Sequence, residues 1–191
     1  SSSVAEVIST GYDGYVAKYS DAGDFVWVKT FSDIAGGSVQ GCSAIALTSV
    51  GEVVVVGTFR NRVDFDPSGS VYEMRSTSPG GGSYPPDVFI VKLDGDGNFV
   101  WAKSVGGGDI ENVSAVAVDP SDNIVLSGEL YGPADLNPGT GVVTLGNDHD
   151  VYILKLNSAG TFMWANSLNW SGPNVVPFTA GGVATDTSGS I

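Results

Sequence analysis

Short apolar runs recur along the chain, and each is closed by glycine, asparagine, aspartate or serine. Val53–Phe59, Val88–Leu93, Ile124–Leu130 and Val151–Leu156 are rich in β-branched and aromatic residues, as a pleated, buried surface requires. No segment carries helical periodicity with caps at its ends. The runs fall into four types, here a to d. Strand a is expected at Ala44–Leu47 and Ala115–Val118, and strand b at Val53–Phe59 and Ile124–Leu130. Strand c is expected at Tyr15–Tyr19, Val88–Leu93 and Val151–Leu156, and strand d at Phe25–Lys29, Phe99–Lys103 and Phe162–Ala165. Val53-Val54-Val55-Val56 is apolar without alternation, which predicts a strand covered on both faces.

The c–d segments repeat without gaps. Asp13, Asp87 and Asp150 are each followed five residues later by Lys18, Lys92 and Lys155. Gly23, Gly97 and Gly160 follow five residues after the lysines, and Trp27, Trp101 and Trp164 four after the glycines. The a–b segments repeat between them, from Ser43 to Phe59 and from Ser114 to Leu130, with a third start at Gly181 that runs to Ile191. Gly57 and Gly128 are each followed seven residues later by an aspartate, in Asp64-Phe65-Asp66-Pro67 and Asp135-Leu136-Asn137-Pro138. The tryptophans are spaced by 74 and 63 residues, and the extra length falls in loop-like sequence around Ser76–Pro86 and after Trp27.

A four-stranded antiparallel meander repeated along a chain predicts an all-β fold built of β-propeller blades. The boundaries read as 13–31 for strands c and d of a first blade, 43–104 and 114–168 for two full blades, and 177–191 for the start of another. Fewer than three complete blades are present, whereas closed propellers use about 4–8. The chain is therefore expected to belong to a longer protein, or to complete its ring with partner chains.

In such a meander the a–b and c–d turns share one end. These are short in every copy, while the b–c and d–a connections at the other end are long. The long-loop face is the expected binding surface, because function concentrates on loops carried by a rigid scaffold. Its candidate ligand-contacting residues are Trp170, Tyr131, His149 and Tyr84. The tryptophan column is expected to pack blade against blade. The aspartate column is expected to accept backbone N–H groups at the entry to strand c. The lysines are expected to snorkel or to pair with carboxylates.

These residues resemble the bacterial SBBP β-propeller repeat, over nearly the whole chain. The matching positions include Asp87, Lys92, Gly97, Trp101, Lys103, Ser114, Asp119, Gly128 and the Asp64-Phe65-Asp66-Pro67 run. Asn166 departs from the pattern after Trp164, and Asp122 stands where the repeat has glycine. The resemblance implies a secreted or cell-surface bacterial protein with no shared catalytic residue.

Charge narrows the partners. Of 191 residues, 21 are acidic and 8 are Lys or Arg, a net charge of −13, which disfavours nucleic acid and anionic lipid. No apolar run reaches the ~18 residues of a spanning helix, so no membrane insertion is expected. Glycan, protein or copies of the chain itself remain as partners. Asp64 with Asp66, and Asp135 with Asn137, place two oxygen donors two residues apart in a proline-stiffened loop, a pattern suited to Ca²⁺ or to a repeated Asx turn. Cys42 is expected as a small buried residue beside strand a. Catalytic chemistry is thin: His149 is the single histidine, Asp109, Glu111 and Asp148 are scattered acids, and Arg60, Arg62 and Arg75 sit in one loop region. The expectation is a non-catalytic extracellular binding module. The alternatives are a surface protein assembling through blade edges into a ring or filament, and a glycan-active enzyme.

Overall fold

The computed structural model of the protein describes residues 6, 13–34, 38–80, 82, 84–147, 149–168 and 180–191. All its regular structure is β, with no helix among the described residues. The first unit contributes β1 (Gly14–Tyr19) and β2 (Phe25–Asp33). The second contributes β3 (Ser38–Leu47), β4 (Val53–Arg60), β5 (Arg62–Asp64), β6 (Glu73–Arg75), β7 (Asp87–Leu93) and β8 (Phe99–Gly107). The third contributes β9 (Glu111–Val118), β10 (Ile124–Leu130), β11 (Ala134–Asp135), β12 (Thr144–Leu145), β13 (Asp150–Leu156) and β14 (Phe162–Leu168). Strands β3, β4, β7 and β8 are a to d of the second unit, and β9, β10, β13 and β14 are a to d of the third. Each set pairs antiparallel in that order. Residues 180–191 contain a turn but no strand, so the third a–b copy keeps its turn without its ladder.

The b–c connections differ from the open loops expected of them. Each folds into a small hairpin that pairs with strand d of the preceding unit. Asp64 and Val63 face Ser32 and Asp33 of β2, and Ala134 and Asp135 face Gly107 and Gly106 of β8. The result is three sheets, of four, six and four strands, in which neighbouring units are stitched by main-chain hydrogen bonds.

The valine run explains itself in this packing. Val53 and Val55 enter one core with Phe31, Phe59, Phe65, Phe89 and Leu93, between the first and second sheets. Val54 and Val56 enter the other, with Ile90, Leu126, Tyr152 and Leu154, between the second and third. All four valines are 6% exposed or less, so successive side chains are buried on opposite faces.

The repeated columns are cross-strand pairs that reach the next unit. Lys18, Lys92 and Lys155 lie directly opposite Trp27, Trp101 and Trp164. Trp27 and Lys29 pack on Gly97 of the following c–d turn, where an added Cβ would stand 3.1 Å from the indole and 2.7 Å from the lysine chain. Trp101 and Lys103 pack on Gly160 in the same way, at 3.2 and 3.3 Å. The lysine ammoniums extend the contact: Lys18 donates to Gly95 O at 2.7 Å and Lys92 to Ser158 O at 3.2 Å. Lys92 also pairs with Glu52 at 2.5 Å and Lys155 with Asp119 at 2.8 Å.

All six short turns share one geometry. The first residue's N–H bonds the carbonyl four residues on, and the fourth residue's N–H returns to the first carbonyl, as in Asp94–Asn98 and Asn157–Thr161. The fourth residue must take positive φ, which five glycines do at +75 to +81°. Asp122 is the exception at +60°, and its side chain supplies the reason. Its carboxylate accepts the N–H and the hydroxyl of Ser49 in the preceding unit, both at 2.7 Å. Aspartate tolerates this backbone region better than most residues, and here it gains a link that glycine lacks. Asp122→Ala is expected to lower the thermal midpoint more than Asp122→Gly, because alanine keeps the strain and loses the bonds. Equal midpoints for the two variants would show that the strain is negligible.

Candidate functional site on the long-loop face

The d–a connection Gly107–Glu111 organises this face. It lies between two b–c loops and is bonded to both. The Glu111 N–H donates to Pro86 O at 3.1 Å, and Ile110 O accepts the Tyr131 N–H at 3.0 Å. Asp109 sits against Gly132, where an added Cβ would come 2.2 Å from Oδ2. Tyr84, two residues before Pro86, is thereby held on one side of the strip, and Tyr131 on the other.

Both tyrosines are already engaged. Arg75 donates to the Tyr84 hydroxyl, and its guanidinium lies 5.0 Å from the ring centroid. Tyr131 meets the His149 ring edge-to-face at 4.6 Å. Between them Asp109 is exposed and Ile110 is 41% exposed. The structure thus brings Tyr131 and His149 together beside the strip and sets Tyr84 two residues from its contact at Pro86, while Trp170 and Asp148 lie outside the described residues.

Beneath the strip lies a group that sequence reasoning noted only as a scattered acid. Glu111 is fully buried, and neither carboxylate oxygen makes a hydrogen bond of good geometry, the nearby Gly107 N–H included. Burial pushes its carboxyl up to about 8, helped by the Asp87 and Asp109 charges and opposed by the Gly107 N–H. Asp87 is 2% exposed, and its Oδ1 also lacks a partner. Burial raises it to about 6 against the pull of the Thr77 N–H and hydroxyl, which bond Oδ2 at 2.8 and 3.0 Å. The Tyr152 hydroxyl, likewise buried and without a partner, completes the cluster, and burial with the charges of Glu111 and Glu129 drives its ionisation far upward. The signal available in the sequence was a single glutamate set between three glycines and an apolar strand.

The aspartate column does accept main-chain N–H groups, though from different neighbours. Asp87 takes that of Thr77, Asp150 that of Asn147 at 3.1 Å, and Asp13 that of Asp33 across the hairpin at 3.3 Å. The four oxygen donors considered for calcium sit in two separate b–c hairpins. Asp64 Oδ1 accepts the N–H groups of Asp66 and Tyr72 at 3.0 and 2.8 Å, and Asp135 Oδ1 those of Asn137 and Val143 at 3.0 and 2.9 Å. Asp66 and Asn137 bond the N–H two residues on, each at 2.9 Å. Their geometry is that of a repeated Asx turn that shapes each hairpin. Among the described residues no three His, Cys, Asp or Glu side chains lie together as a metal-binding group. Arg62 pairs with Glu73 at 2.6 and 2.5 Å across its own hairpin. Cys42 is half-buried rather than enclosed, and burial raises its thiol to about 11, with the Tyr15 backbone pulling the other way.

A cavity of about 320 Å³ opens on the opposite, short-turn end, where no site was expected from the sequence. Thr48 and Ser49, Asp119 and Asp122, and Thr185 and Asp186 line it, from three successive a–b turns.

No protein-family profile matches the chain, so the SBBP resemblance stands on the repeated columns alone. The chain is similar to the "Uncharacterized WD repeat-containing protein L264" of Acanthamoeba polyphaga mimivirus, at 28% identity over 138 residues. That match covers 71% of this chain and 9% of the relative, so the chain spans about a tenth of the length of the protein it matches. WD repeats are propeller-type repeats, and this agrees with the all-β, repeat-built architecture. No helix of the described residues is long and apolar enough to cross a membrane.

Proposed function

We propose that the chain is a segment of a β-propeller that acts as a non-catalytic binding module, extracellular or at a cell surface, and that its long-loop face engages a protein. The observation that carries this is the strip Gly107–Glu111, bonded to the loop of Tyr84 on one side and to Tyr131 on the other. It presents exposed Ile110 between two pre-formed pairs, Arg75–Tyr84 and Tyr131–His149. Aromatic and arginine side chains held in place by such contacts are the anchors typical of protein interfaces. The same contacts occupy the Tyr84 face and the Tyr131 ring, leaving a sugar little open aromatic surface beside this strip among the described residues. Glu111, the acid best suited to glycosidase chemistry by its raised ionisation, is wholly buried and out of reach of a substrate.

The test is an array of secreted proteins and of glycans probed with the wild type and with Tyr131→Ala and Ile110→Asp. Retained secondary structure with at least ten-fold weaker protein binding is expected. Binding to glycans alone, or protein binding that neither substitution changes, would refute the reading.

A second reading has one observation of its own. Tyr15 is 66% exposed, whereas Phe89 and Tyr152, at the same position of the repeat, are fully buried. Strand β1 lies at the edge of its sheet among the described residues, and an open edge can recruit a strand from another copy. Light scattering decides this: a mass that rises with concentration, and falls back with Tyr15→Lys, favours assembly.

A further inference from the structure

We propose that Glu111, buried beneath the long-loop face with the Asp87 carboxylate nearby, keeps its proton and forms a latch, and that losing this proton loosens the Gly107–Glu111 strip from its two flanking loops. The latch spans two units, since Asp87 opens β7 of the second and Glu111 opens β9 of the third.

The two carboxyls meet adjacent residues of one stretch of backbone. The Asp87 carboxylate rests on Gly106, where an added Cβ would come 2.4 Å from Oδ1. The N–H of the next residue, Gly107, is the donor that eases the Glu111 charge. Among the described residues no cation bears on Glu111: the charges that do are those of Asp87 and Asp109, and Tyr152 beside it feels Glu111 and Glu129. Glu129 is engaged elsewhere, accepting the Ala180 N–H at 2.8 Å. Four polar atoms are buried without a well-formed hydrogen bond, namely both Glu111 oxygens, to which the Gly107 N–H is only a weak donor, Asp87 Oδ1 and the Tyr152 hydroxyl. Two carboxylates in a site without a counter-ion cannot both stay charged, for desolvation and mutual repulsion both favour a proton on one of them. That proton gives Glu111 a donor among acceptors. Once it leaves, the carboxylate needs water, and the residues just before it, Gly108–Ile110, are exposed. Moving that strip strains the Glu111–Pro86 and Tyr131–Ile110 hydrogen bonds that fix the face.

The sign follows from the direction of the shift. Glu111 is harder to ionise folded than unfolded, so the folded state gains from the proton. This stabilisation is complete below the ordinary glutamate range, near 4.5, and declines up to about 8, above which it is gone.

The experiment is residue-resolved amide exchange by NMR at pH 6 and pH 9, each rate corrected by that of the Leu126 amide in β10. The amides of Glu111 and Tyr131 should lose protection at least ten-fold between the two conditions in the wild type, and should not respond in Glu111→Gln. Equal protection at both pH values would overturn the latch. A loss that persists in Glu111→Gln would overturn it too, by assigning the effect to another group. Protection restored at pH 9 by millimolar Ca²⁺ would assign a cation, not a proton, to the cluster. Should Glu111→Gln fail to fold, ¹³C titration of the wild-type Glu111 carboxyl decides instead. A midpoint between 7 and 9 is expected, and one below 6 sinks the proposal. The role given to the strip rests on reading this face as a binding surface, but the two fail separately. A flat exchange profile with binding intact ends the latch alone, and lost binding with the exchange response intact ends the binding reading alone.

Discussion

Gly128→Ala and Gly57→Ala should each destabilise the fold by roughly 4 kcal/mol or more, beyond the range of ordinary substitutions. Both glycines lie on strand b opposite a bulge in strand a. Gly128 faces Val113 and Ser127 faces Ala115, which leaves Ser114 as the extra residue, and Ser43 is its counterpart opposite Gly57. The bulge pushes a carbonyl toward the glycine. An added Cβ would stand 2.0 Å from Asn112 O at Gly128, and 2.0 Å from Gly41 O at Gly57. The other side is closed by an aromatic ring of strand c, Tyr152 at 2.8 Å and Phe89 at 2.7 Å. Neither obstacle can yield cheaply. The carbonyl belongs to a paired strand, and both rings are fully buried, Phe89 among Phe31, Phe59 and Phe65 with centroids 4.9 to 6.4 Å away. Overpacking against a fixed backbone costs more than the usual 1–3 kcal/mol of a flexible core. Urea unfolding checks it: a loss below about 1 kcal/mol would mean that the bulge can relax. This packing accounts for two repeat columns at once, the Ser43/Ser114 pair and the Gly57/Gly128 pair.

The second large effect is expected at Asp119→Ala, at about 3 kcal/mol. Lys155 is 8% exposed and Asp119 5%, and the pair closes at 2.8 Å. Removing the acid leaves an ammonium buried with, among the described residues, the Gly189 carbonyl at 3.4 Å as its remaining partner. Breaking a buried pair in this way costs about 3–5 kcal/mol, and the lower end applies because Asp119 borders the short-turn cavity, where water screens it. Its pH dependence runs opposite to that of Glu111. Burial alone would raise the Asp119 carboxyl, but the Lys155 ammonium and the Asn123 and Ser121 donors outweigh it and hold the group down at about 2. The stabilisation is thus present above pH ~4 and lost as pH falls toward 2. Asp119→Asn should flatten the acid limb of a stability–pH curve while leaving the limb above pH 6 unchanged. An unaltered acid limb would show that the pair is not what acid disrupts.

Much of this could be read from residue order. The five-residue turn sets Leu93 opposite Phe99, because a turn fixes the register of the strands it joins, but Lys92 meets Trp101 only through a bulge that leaves Val100 unpaired. The glycine four residues before each tryptophan was legible as a turn residue. That it is also the seat of the preceding unit's tryptophan was expected only as blade-to-blade packing, without a partner. The Asx geometry of Asp64 and Asp135 was one of two readings their spacing allowed. Of the candidate site, the loops and Tyr84, Tyr131 and His149 were legible as aromatic residues in long connections. Their placement about Gly107–Glu111 was not, because it depends on which loops of successive units lie side by side.

What the sequence determined by itself is therefore local and periodic: strand positions, the shared turn, the left-handed residue that each turn needs, and the burial of both faces of Val53–Val56. These follow from side-chain alternation and backbone sterics within a few residues. Three features were decided only by tertiary structure. The b–c hairpins join the preceding unit through strands of two or three residues, too short to carry any period. Asp122 reaches Ser49 across 73 positions of sequence. Glu111 loses its solvent because two loops and a neighbouring unit close over it, and a carboxyl's ionisation is set by that surrounding medium rather than by the residues beside it in the chain.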